Sequence, residues 1–181
     1  IAGMIVWQPN GTPGEGVVTT PAALKAALLK IKGLKFVSVD TSSGTANLTI
    51  GSSPYPVNDA VFLPAIGETL AIITVDSGVT FADTTKNLTF RDCALETTGG
   101  STVWTPAADA FLHLETTDVL CAAGAPLLDC PAALTVAVGA ATSIIGDGTN
   151  PVFLVENAGQ LFSELTTSEI NNNAIAQGVA P

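Results

Sequence analysis

Glycan hydrolysis needs two carboxylates held on either side of a scissile bond, and lyase chemistry adds a basic residue with acids that hold a metal. The segment Phe90-Arg91-Asp92-Cys93-Ala94-Leu95-Glu96 contains the densest set of such groups. Read as one strand, its alternation puts Asp92 and Glu96 on one face, and Arg91 is the only arginine in the chain. A charged ladder on the surface is the competing reading of the same residues. His113 alternates with Phe111 and Glu115, opposite Leu112 and Leu114. One histidine seats neither a triad nor a histidine metal cluster, so its expected place is solvent or a subunit boundary. Trp7 and Trp104 offer flat faces that stack sugars or pack at an interface. Cys93, Cys121 and Cys130 are an odd count without a CxxC or Cys/His cluster, so buried thiols are expected and no zinc site. A Cys121–Cys130 bridge stays open for an oxidising compartment. No glycine-rich phosphate loop follows a strand. These residues assign no catalytic site, no cofactor and no metal ligand.

Any such chemistry depends on the elements that position it. Residues 1–18 join a short apolar run, Ile1 to Trp7, to the Gly- and Pro-rich stretch Gln8 to Gly16, and read as an N-terminal arm or a strand leading into the fold. A helix is predicted over 20–32. Thr20 suits the N-cap, Pro21 the first turn and Gly33 the stop, while Leu24, Leu28 and Ile31 share one face. From Lys35 onward, short β-rich runs replace helical spacing: 36–40, 46–50, 60–63, 70–76, 88–91, 110–115, 126–130, 133–138 and 151–156. The triplets Asn47-Leu48-Thr49 and Asn87-Leu88-Thr89 match a glycosylation acceptor but fall within these runs and read as strand residues. Only Asp147-Gly148 has hairpin chemistry inside this region, so most strands are joined some other way. The runs 110–115, 125–129 and 150–156 each begin small or at proline, continue apolar and end on an acid, recurring every 16 to 25 residues. That period suits a parallel β-solenoid, with a β-sandwich as the alternative. A solenoid needs its ends covered, and the 20–32 helix fits one of them. The domain limits are then a β-helix domain over 19–165 and a polar tail over 166–181.

Composition narrows the partners. The 181 residues are 47% hydrophobic but only 12% charged, about half the ~25% of ordinary soluble domains. Apolar stretches are broken well short of the ~18 residues a spanning helix needs, so membrane insertion is not expected. Six basic against sixteen acidic residues leave a charge of -10, which argues against nucleic acid as a partner. Four of the six basic residues (Lys25, Lys30, Lys32 and Lys35) lie in one early segment, and none follows Arg91. The opening residues lack the basic region and long apolar core of an intact signal peptide.

The block Gly16 to Leu28, a short helix, leads into Leu34-Lys35-Phe36-Val37-Ser38-Val39-Asp40, a first strand of the form K-x-V-x-V-D. This order resembles the opening of right-handed parallel β-helix modules in phage tailspikes, head spikes and related virion proteins. The resemblance covers about the first 50 residues by pattern and the rest by strand style. It implies a homotrimer of β-helices attached to capsid or tail proteins and located in the virion, in some members with glycan-cleaving activity. The expected function is a non-enzymatic bacteriophage structural protein: a trimeric spike, fibre or capsid-decorating protein, with a host-surface glycan as a further partner. A small polysaccharide lyase or hydrolase and a glycan-binding adhesin module are the alternatives.

Overall fold

In the computed structural model the described residues are 3–42, 44–49, 53–99, 102–106, 109–121, 127–130, 135–138, 143–145, 152–155, 160–163, 170–171 and 175–177. They form a parallel β-solenoid with one short helix. The eight-stranded sheet contains β1 (Met4–Trp7), β2 (Val17–Val18), β3 (Lys35–Val39), β5 (Ala60–Pro64), β7 (Asn87–Arg91), β9 (Ala110–Glu115), β12 (Thr135–Val138) and β15 (Gln160–Ser163). The six-stranded sheet contains β4 (Ala46–Leu48), β6 (Ala71–Val75), β8 (Cys93–Thr97), β10 (Asp118–Cys121), β13 (Ser143–Ile145) and β16 (Ile170–Asn171). A third wall carries β11 (Leu128–Cys130), β14 (Phe153–Val155) and β17 (Ile175–Gln177). It is preceded by the parallel bridges Tyr55 to Phe81 and Trp104 to Leu128. Every pairing between these strands is parallel, which excludes the sandwich alternative.

The coil length follows from the register. Beyond β3, paired positions lie 22 (Ala71 and Cys93) to 28 (Ala60 and Leu88) residues apart. The expected 16-to-25 spacing is corrected here, because it compared strands of different walls: 110–115 belongs to the eight-stranded sheet, whereas Leu128 and Phe153 are true partners. Period-two alternation sends one side of each strand inward. Val37, Phe62, Phe90 and Leu114 succeed one another in register and are all buried. Phe62 and Phe90 stack with ring centroids 5.1 Å apart. Ile73, Leu95 and Val119 form the matching row from the six-stranded sheet. Tyr55, Phe81, Trp104, Leu128 and Phe153 fill the third side.

The corners carry polar residues. Asp59, Asp92, Asp109 and Thr116 have φ between 44 and 54°, in the left-handed region that Asp tolerates better than most residues. Asp92 alone separates β7 from β8; its N–H donates to the Glu115 carbonyl at 2.9 Å, and its carbonyl accepts from Ala71 N–H at 3.1 Å. One residue therefore turns the chain from one sheet to the next.

Helix α1 (Pro21–Lys30) covers the first coil, and the Thr20 side chain caps it by accepting from Ala23 N–H at 3.2 Å. It stops two residues before the predicted boundary because Ile31 is already extended. Leu24 and Leu28 enter the core, and Ile31 packs partly against it. Of the two readings of residues 1–18, an arm or a strand leading into the fold, Met4–Trp7 takes the second: β1 lies in register with β3 from Met4 opposite Phe36 to Trp7 opposite Val39. Beyond residue 165, β16 and β17 pair with the six-stranded sheet and the third wall. The Asp147-Gly148 turn lies outside the described residues.

Candidate interaction surface

The solenoid separates the residues that the single-strand reading grouped. Asp92 sits in the corner, whereas Glu96 projects from the outer side of β8, in the row Thr74, Glu96, Leu120. The expected shared face of Asp92 and Glu96 is therefore overturned: a left-handed residue breaks the alternation on which it rested. Arg91 pairs with neither. Its Nε donates to Glu115 Oε2 at 2.7 Å, across the coil step that joins β7 to β9. Both partners stand on the outer side of the eight-stranded sheet, 46% and 40% exposed, so the pair contributes about 0–1 kcal/mol.

His113 holds the expected position, half-buried on the outer side between Phe111 and Glu115. Its ring lies 5.8 Å from that of Phe111. Trp7 and Trp104 are each 1% exposed, so their rings serve the core and are closed to a stacking sugar. Cys93 and Cys121 are buried as expected, while the side chain of Cys130 lies outside the described part of the structure. Burial pushes the Cys93 thiol up to about 12, reinforced by the charge of Asp92. Its Sγ lies 3.1 Å from the Arg91 carbonyl. Next to it, the Thr117 hydroxyl is 3.0 Å from the carbonyls of both Phe90 and Glu115 and 3.3 Å from Cys93 N. These contacts tie the inner corner together. Among the described residues no three His, Cys, Asp or Glu side chains converge as a metal site would require.

Among the described residues, exposed aliphatic side chains gather on two outward surfaces, apart from Phe36 and Phe111 on the outer side of the eight-stranded sheet and Ile66 and Leu70 in the turn before β6. One is the outer side of the six-stranded sheet. Ile72, Leu120 and Ile145 are 42%, 39% and 36% exposed, around a shallow concavity of about 320 Å³ that also includes Ala94, Glu96 and Asp118. The other is the outer side of α1, where Leu29 and nearby Leu34 are more than half exposed among Lys25, Lys30 and Lys32. Sequence reasoning passed over these aliphatic residues, although a signal was present. In Ala71 to Val75 the inward set is Ala71, Ile73 and Val75, which leaves Ile72 pointing outward in a strand with an otherwise satisfied core side. On α1, Leu29 falls off the Leu24–Leu28 stripe for the same kind of reason. No family model, curated protein or solved structure matches the chain.

Proposed function

We propose that the chain is a structural, non-enzymatic β-solenoid protein of a virus particle, a trimeric spike, fibre or capsid-decorating protein. The observation that carries this reading is the apolar strip Ile72, Leu120 and Ile145 on the outside of the six-stranded sheet. Leu120 and Ile145 are register partners in successive coils, and Ile72 lies in the neighbouring row through Ala94 and Asp118. Exposed aliphatic side chains grouped in this way gain free energy when a partner covers them, at roughly 25 cal/mol per Å². The low charge content of the chain points the same way, toward a surface made for assembly. The order of helix and first strand supports the virion assignment through its resemblance to phage β-helix modules. Capsid or tail proteins are the proposed attachment partners.

Light scattering of the purified protein in native buffer, repeated after mild SDS without heating, tests the proposal. The expected result is the mass of three chains, retained in detergent. A monodisperse monomer across the accessible concentration range would overturn it.

A further inference from the structure

A threefold ring needs two different surfaces on each subunit that fit one another, because every contact in it is heterologous. The chain carries such a pair. On α1, Lys25 stands four residues before Leu29 and shares its side of the helix, with Lys30 at the last turn and Lys32 and Leu34 in the extended segment just beyond. Leu29 is 63% and Leu34 56% exposed, and Lys30 and Lys32 are exposed with them. Among the described residues the single ion pair is Arg91 with Glu115, so these lysines have no carboxylate partner among those residues.

The outer side of the six-stranded sheet is the counterpart. Its concavity combines the aliphatic Ile72, Leu120 and Ile145 with two carboxylates on the strands between β6 and β13, Glu96 beside Leu120 in register and Asp118 in the row of Ile72 and Ala94. The two surfaces have the same build and opposite charge. Neither pairs well with itself, because a twofold contact would set lysine against lysine or carboxylate against carboxylate. The solenoid also keeps them apart within one molecule: α1 packs on β1 and β2 at the N-terminal end, whereas the concavity spans β6, β8, β10 and β13.

We infer that the outer side of α1 in one copy docks on the outer side of the six-stranded sheet in the next, with Leu29 and Leu34 against Ile72, Leu120 and Ile145, and the lysines against Glu96 and Asp118. This inference rests on the trimer reading and names its interface. The occupant is a second copy of this chain because both halves of the complementary pair are present on it.

Charge reversal tests it by sedimentation equilibrium of the full chain at low and high salt. The double variants Lys30→Glu/Lys32→Glu and Glu96→Lys/Asp118→Lys are each expected to weaken trimerisation by on the order of tenfold or more, and the quadruple swap to restore it. Wild-type association should weaken as NaCl screens these exposed charges. Leu29→Ser, an uncharged probe of an exposed position, should weaken the trimer at every salt concentration. Unchanged circular dichroism identifies variants that keep the fold. A wild-type trimer that survives both reversals and Leu29→Ser overturns this interface while leaving the trimer reading intact. A monomeric wild type overturns both. Wild-type binding to phosphatidylglycerol vesicles that is lost in Lys30→Glu/Lys32→Glu, with the trimer intact in that variant, assigns α1 to an anionic lipid surface and also overturns the inference.

Discussion

The most constrained side chains lie where a polar group has been drawn into the wall. Lys35 is 6% exposed, and its Nζ donates to the carbonyls of Gly33 at 2.9 Å and Asn58 at 2.7 Å. It therefore joins the segment after α1 to the loop ahead of β5. Lys35→Met keeps the aliphatic stem and removes both charge-assisted bonds, so a loss of about 2 kcal/mol is expected in urea denaturation. Cys93 is the opposite case, a group held neutral. Its thiol is raised from 9.0 to about 12, so it contributes stability that is complete below about pH 9 and lost as pH rises toward 12. Wild type should lose stability across that window more steeply than Cys93→Ala, which has no thiol to ionise there. Equal slopes in a urea series at pH 8.5 and 10.5 would count against this. The sequence showed that Cys93 is a core thiol; it did not show this environment, which comes from Thr117 and Phe62 in neighbouring coils. The tryptophans teach a related lesson, since a sugar platform and a core aromatic have the same composition and only the fold tells them apart, with Trp7 facing inward from β1 and Trp104 from the third side.

Among the elements, the corners explain most of what the sequence did and did not disclose. Strands β5, β6 and β9 were legible because their more and less buried positions alternate between glycine, proline or polar breaks, and β3 because Val37-Ser38-Val39 alternates in sequence even though Ser38 is buried too. The β7–β8 boundary was hidden, since Arg91-Asp92-Cys93 contains no glycine or proline and Asp92 turns the chain with φ of 51°. β16 and β17 were hidden for a different reason: strands of two and three residues beside Asn171 and Asn172 carry almost no periodic signal. The corner account separates a structural Asp92 from a catalytic one. Asp92→Gly relieves the left-handed backbone and should leave the thermal midpoint unchanged or higher, whereas Asp92→Val should cost about 1–2 kcal/mol. A Gly variant that melts well below wild type would contradict it. At the N-terminal end, Thr20→Ala removes the α1 cap and should cost about 1 kcal/mol, read from the urea midpoint.

For the molecule as a whole, the stacking of coils makes stability nearly one-dimensional. Each coil touches chiefly the ones before and after it, so a defect at one end need not travel to the other. Helix α1 is the device that closes the N-terminal end, and Leu24 and Leu28, at 0% and 1% exposure, are its only fully buried side chains. Leu28→Asp places a charge in that contact and should detach the helix from β1 and β2. Hydrogen exchange should then show faster exchange in Met4–Trp7 and Lys35–Val39, while Asn87–Arg91 and Ala110–Glu115 keep wild-type protection. This gradient is the signature of a solenoid losing one end. A uniform loss of protection would mean instead that the coils unfold as one cooperative unit and that α1 supports the entire wall. The same variant bears on assembly, because Leu29, Lys30 and Lys32 leave their positions with the helix. If the α1 surface forms the contact between copies, the trimer should dissociate under conditions where the later coils remain fully protected, a combination that general unfolding cannot produce.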